Sequence, residues 1–123
     1  MSYSYKIDKE KRLVTVSIWD NVDKVSVLKF RREIQADPDF SSDFNQLAEY
    51  QPNTKLDVTS QEVDELRIGD PFSAASRRAF VAHSDLLYGY ARMYSSLMEA
   101  SGFDNIKVFR NMEEAVMWIE GAE

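Results

Sequence analysis

The chain opens on an alternation. Tyr3, Tyr5 and Ile7 are aromatic or apolar and the positions between them are polar; Leu13 to Trp19 repeats the pattern on Val14, Val16 and Ile18. A period of two marks a strand with one buried face. The charged turn Lys9-Glu10-Lys11 lies between the two runs, so they are predicted to form an antiparallel hairpin.

The period then lengthens. Asp23 is placed to cap a helix reaching about Ala36, with Val27, Leu28, Phe30 and Ile34 on its apolar side. Asp37-Pro38-Asp39-Phe40 ends it, because proline cannot continue a helix and biases the preceding residue away from the helical region. After the polar loop Ser41-Ser42-Asp43, Asn45 to Tyr50 is a strand built on Leu47 and Tyr50, and Gln51-Pro52-Asn53-Thr54 is a turn. Thr59-Ser60-Gln61-Glu62 reads as a capping box: the Thr59 hydroxyl accepts the Glu62 amide while the Glu62 carboxylate reaches back to the Thr59 amide. The short helix it starts turns Val63 and Leu66 inward and stops at Gly69-Asp70-Pro71.

Arg78 to Ala82 is the next strand. Ser84-Asp85 begins the longest helix, whose stripe is Leu86, Leu87, Tyr90, Ala91, Tyr94, Leu97 and Met98, and Gly102 closes it. Ile106 to Phe109 is the last strand. Asn111 caps a final helix carrying Ala115, Val116 and Ile119 and ended by Gly121. The order is β-β-α-β-α-β-α-β-α, which predicts an α/β fold with a mixed, mostly parallel sheet and right-handed crossovers. With 123 residues and no linker or repeat, residues 1–123 are expected to make a single domain.

Composition narrows the function classes. A net charge of −6 disfavours nucleic acid and anionic membranes. The basic clusters Lys9-Glu10-Lys11-Arg12, Arg31-Arg32 and Arg77-Arg78 are short and lie close to acidic residues, so they read as solvated surface. There is no cysteine, which suits a reducing, cytoplasmic setting. No apolar run reaches membrane-spanning length, and Met1 to Lys6 lacks the apolar segment of a signal peptide.

The side chains offer little for catalytic chemistry. His83 is the single histidine; Ser84 and Asp85 beside it on a helix start cannot converge on one ring. One histidine and no cysteine leave too few ligands for a zinc site, and no glycine-rich phosphate loop is present. No catalytic residue, metal or cofactor is expected. Glu62, Asp64 and Glu65, like Glu113 and Glu114, suit the positive ends of helix dipoles. Gly89, inside the long helix, costs about 1 kcal/mol against alanine, so a packing reason is expected, with a ligand cleft beside Tyr88 and Tyr90 as the alternative. Phe40, Phe44 and Phe72 lie in loops, where aromatic rings pack inward or form a partner surface.

Several strings, taken in order, resemble a family. They are Lys11-Arg12-Leu13-Val14-Thr15-Val16, Asp37-Pro38-Asp39-Phe40 and Ser76-Arg77-Arg78-Ala79-Phe80-Val81-Ala82. Tyr88-Gly89-Tyr90-Ala91-Arg92-Met93 and Val108-Phe109-Arg110-Asn111-Met112-Glu113-Glu114-Ala115, closing on Trp118, complete the set. The chain is similar to STAS (SpoIIAA-like) domains, and within them to small stand-alone bacterial proteins of unsettled function. The resemblance implies a STAS-like fold and work by binding a partner protein, with self-association as a homodimer among the options. It also implies a phospho-switch at the start of the second helix, where Asp57-Val58-Thr59-Ser60 stands here. The family's glycine is replaced by Gln61, so Thr59 and Ser60 carry the switch only in part. Related members are likened to CRAL-TRIO domains, which gives the alternative: a binder of lipid or another apolar metabolite, its pocket lined by Tyr88, Tyr90 or Met93. Both expectations are non-catalytic.

Overall fold

The computed structural model describes residues 1–121. Its strands are β1 (Ser2–Asp8), β2 (Leu13–Trp19), β3 (Asn21–Val22), β4 (Asn45–Tyr50), β5 (Lys55–Leu56), β6 (Arg78–Ala82) and β7 (Ile106–Phe109). Its helices are α1 (Lys24–Ala36), α2 (Ser60–Leu66), α3 (Asp85–Ala100) and α4 (Met112–Ile119). The main sheet runs β1-β2-β4-β6-β7. Only β1 and β2 are antiparallel, from Ser2 opposite Trp19 to Asp8 opposite Leu13; the other pairs are parallel. The predicted α/β class and element order hold. The sequence pattern did not reveal β3 and β5, which pair over two residues only, too few for any period to register.

The caps are where the side-chain chemistry predicts them. Asp23, Thr59, Ser84 and Asn111 each accept an amide of the first helical turn. At Thr59 both halves of the capping box form, at 3.0 and 3.1 Å. Gly69, Gly102 and Gly121 take positive φ of 79, 96 and 88°, which stops α2, α3 and α4 without the Cβ penalty other residues would meet.

Strand parity sorts the two faces of the sheet. Val14, Val16, Ile18, Ala48, Tyr50, Phe80 and Ala82 face α1, α2 and α3 and form the larger core. Leu47, Ala79 and Val81 face α4 and pack on Ala115. β6 is buried at every position, as a central parallel strand covered on both faces must be. On the α4 side, Ser4, Lys6 and Thr15 of the β1–β2 half are exposed.

Gly89 corrects an expectation. A Cβ there would meet nothing within 4 Å, and the residue is exposed, so packing does not require the glycine. The loop aromatics also lie inward. Phe72 is 2% and Phe44 7% exposed, and half-buried Phe40 meets Phe72 edge-on at 5.3 Å. Folded against the sheet, Phe44 and Phe72 present almost no surface to a partner.

Candidate functional site

The main feature is a buried ionic cluster beside a cavity. Gln46 on β4 and Arg78 on β6 are register partners and share the inner face of the sheet with Tyr50 and Phe80. Arg31 comes down from α1, Tyr94 from α3, and Asp70 from the loop after α2. Arg31 and Arg78 are 7% and 4% exposed. Arg78 donates from Nε to Gln46 Oε1 at 3.0 Å and from Nη1 to Asp70 Oδ2 at 2.8 Å. Its guanidinium lies 4.7 Å from the Phe72 ring centre and 5.6 Å from that of Phe80, a favourable placement for a weakly hydrated cation. Tyr94 donates to the same Asp70 oxygen at 2.5 Å, and the Phe72 amide donates to Asp70 Oδ1 at 3.0 Å. Arg31 donates to Tyr94 Oη at 2.9 Å and to the Ile68 carbonyl at 3.3 Å, but its nearest approach to Asp70 is 3.7 Å.

These neighbours set the titration of the site. Burial alone would push the Asp70 carboxyl up; Arg78, the Tyr94 hydroxyl, Arg31 and the Phe72 amide outweigh it and hold it below the ordinary 3.8. The carboxylate therefore stays charged throughout the neutral range. Burial, followed by the Asp70 charge, pushes the Tyr94 phenol up. Burial also raises Tyr50 and Tyr90, whose rings meet edge-on at 6.1 Å. All three phenols are neutral hydrogen-bond donors at physiological pH.

The cavity has a volume of about 70 Å³ and lies between α1, α3 and the sheet. Arg31, Arg78 and Gln46 supply polar groups to its wall; Phe30, Tyr50, Phe80 and Tyr90 supply rings. A mostly apolar recess with a few convergent polar groups is the usual make-up of a small-molecule site.

Of the predicted pocket residues, Tyr90 alone lines the cavity. Tyr88 lies under Arg110, whose guanidinium carbon is 4.2 Å from its ring centre, and Met93 is 37% exposed. Helical geometry separates them: Tyr90, Ala91 and Tyr94 turn inward while Tyr88 and Met93 fall on the flanks. Thr59 and Ser60 are exposed at the start of α2, with the Thr59 hydroxyl engaged in its cap.

The cluster itself escaped the sequence reading. Arg31 and Arg78 read as solvated surface, yet both are core residues. The signal that identifies them is parity: Arg31 lies four residues after Val27 and three before Ile34, and Arg78 alternates with Phe80 and Ala82. Arg32 and Arg77, one position on or back, do reach the outside or the opposite face. Asp70 carries no such signal, because a Gly-Asp-Pro turn reads only as punctuation.

No family model, curated protein or solved structure matches the chain.

A second polar group sits at the carboxyl ends of the central strands. His83 Nε2 is 2.9 Å from Glu49 Oε2, with 39% of the imidazole side chain exposed. Gln51 bridges Glu49 to Ser17, donating to the Ser17 hydroxyl at 2.8 Å. The imidazole is not among the Ser17 partners, so this row lacks the nucleophile–base contact of a triad.

Proposed function

We propose that this chain is a non-catalytic, STAS-like binding module whose cargo is a small molecule seated between α1, α3 and the sheet. The observation that carries the reading is the cavity, walled by buried rings and reached by buried polar groups. The opening antiparallel hairpin followed by parallel strands supports the STAS-like part. A cavity of this kind costs dispersion contacts in the core, and a ligand that fills it restores them.

Native mass spectrometry of protein purified from cells tests the reading. A small adduct retained under native conditions and lost on denaturation supports it. Protein without an adduct, whose Val22, Val27 and Leu66 methyl resonances respond to no small probe, overturns it.

The partner-protein reading has one observation in its favour. Val25, Ile68 and Leu86 are 75%, 69% and 66% exposed, apolar side chains that a partner would cover. Chemical cross-linking of the native protein at α3 tests it: recovery of a partner joined near Leu86 supports this reading, and recovery of the uncross-linked chain alone removes it.

A further inference from the structure

We infer that the cavity takes a small monoanion with a short apolar body, a carboxylate above all, and that Arg31 is the residue that recognises its charge. The inference rests on the ligand-binding reading and adds the chemistry of the ligand.

Arg31 and Arg78 are both buried, and Asp70 is the only carboxylate paired with either among the described residues. Two cations against one anion leave an excess of one positive charge in a place where unpaired charge is costly. The excess belongs to Arg31. The Asp70 oxygens are taken by Arg78 at 2.8 Å, Tyr94 at 2.5 Å and the Phe72 amide at 3.0 Å. Arg31 stands 3.7 Å away and spends its hydrogen bonds on two neutral oxygens. A guanidinium has five N–H donors in a planar fork matched to a carboxylate. Those that Arg31 does not give to Tyr94 and Ile68 have no protein acceptor among the described residues, and Arg31 lines the cavity.

Charge and volume together select the ligand. One excess charge is neutralised by one carboxylate. A phosphate dianion would bring a second negative charge against apolar walls and against the Asp70 carboxylate itself. The volume of about 70 Å³ is roughly half that of a cavity of ~150 Å³ that holds benzene. A body of one or two carbons fits, set against Phe30 and Phe80. The neutral phenols of Tyr50 and Tyr90 add donors without adding charge.

The test uses wild-type protein and three probes: acetate, its neutral isostere acetamide, and inorganic phosphate. Each is titrated to millimolar concentration while the Arg31 Nε–H and the Val22, Val27 and Leu66 methyl resonances are followed. Acetate is expected to shift all of them and to bind at least tenfold more tightly than acetamide or phosphate. Arg31→Gln is expected to lower acetate affinity by tenfold or more and to leave acetamide unchanged. Acetamide binding as tightly as acetate, or phosphate binding more tightly, overturns the inference and leaves the ligand-binding reading standing. If none of the probes moves the cavity methyls, the inference and that reading fail together. Should Arg31→Gln not fold, the acid–amide comparison on the wild type decides.

Discussion

Replacing Asp70 by asparagine probes the cluster at its single anion. The substitution conserves shape and removes charge, so Arg78 and Arg31 stay buried with nothing to balance them. Their side chains are 5% and 9% exposed, and that of Asp70 is 2% exposed, so water cannot replace the lost partner. Breaking one side of a buried pair costs about 3–5 kcal/mol. The amide oxygen of the substituted side chain still accepts from Arg78, which places Asp70→Asn near the lower end, about 3 kcal/mol, and Asp70→Ala near the upper. Against a typical domain stability of ~5–15 kcal/mol, either loss is large; the smaller corresponds to a drop of roughly 10 °C in melting temperature. Urea titrations followed by circular dichroism and tryptophan fluorescence measure it. Replacing all three groups together (Asp70→Leu, Arg78→Met, Arg31→Met) should recover part of the loss, because an apolar cluster carries no desolvation cost. The pH profile gives an independent reading. The folded carboxyl is held below its ordinary 3.8, so Asp70 contributes stability that is present above that value and lost as pH falls through the lower folded one. Asp70→Asn should lack that acid arm. A cost under about 1 kcal/mol, with the acid arm unchanged, would refute the view that this carboxylate holds two buried cations in place.

Three further outcomes follow from particular residues. Thr59→Ala removes one arm of the α2 capping box and should cost about 1 kcal/mol in the same titration. Gly89→Ala adds a methyl that meets nothing within 4 Å on an exposed helical turn; a gain of about 1 kcal/mol is expected, and a loss would show that the glycine has a packing role after all. Burial and the hydrogen bond to Asp37 push the Tyr5 phenol up to about 12. Its contribution is complete below the ordinary phenol value of 10.0 and lost as pH rises from there through about 12, so the wild type should lose more stability over that window than Tyr5→Phe.

The sequence carried the elements and their punctuation because those are local. Asp23, Thr59, Ser84 and Asn111 cap through amides three residues away, and the alternation at Val14, Val16 and Ile18 needs only its neighbours. The site was less legible because it is assembled from distant residues. Arg31 and Arg78 belonged to short charged pairs, and adjacent arginines on a helix or strand point in different directions; only the apolar residues sharing their parity reveal which of each pair turns inward. Asp70 becomes important through Arg78 and Tyr94, which local pattern does not connect to it. The same limit explains Phe44 and Phe72, whose loops fold back against the sheet.

The one antiparallel pair in the sheet also orders assembly in time. Between Asp8 and Leu13 the chain needs only a short turn, and such a hairpin closes within ~1–10 μs. Every other register, Val14 with Gln46 and Gln46 with Arg78 among them, waits for a long segment carrying a helix to be drawn in, at an entropic cost that precedes any reward. The β1–β2 hairpin is thus the one part of the sheet whose pairing can precede collapse. Pulsed hydrogen exchange during refolding should protect the Lys6 and Thr15 amides, which face each other across the hairpin, ahead of those of Ala48 and Phe80.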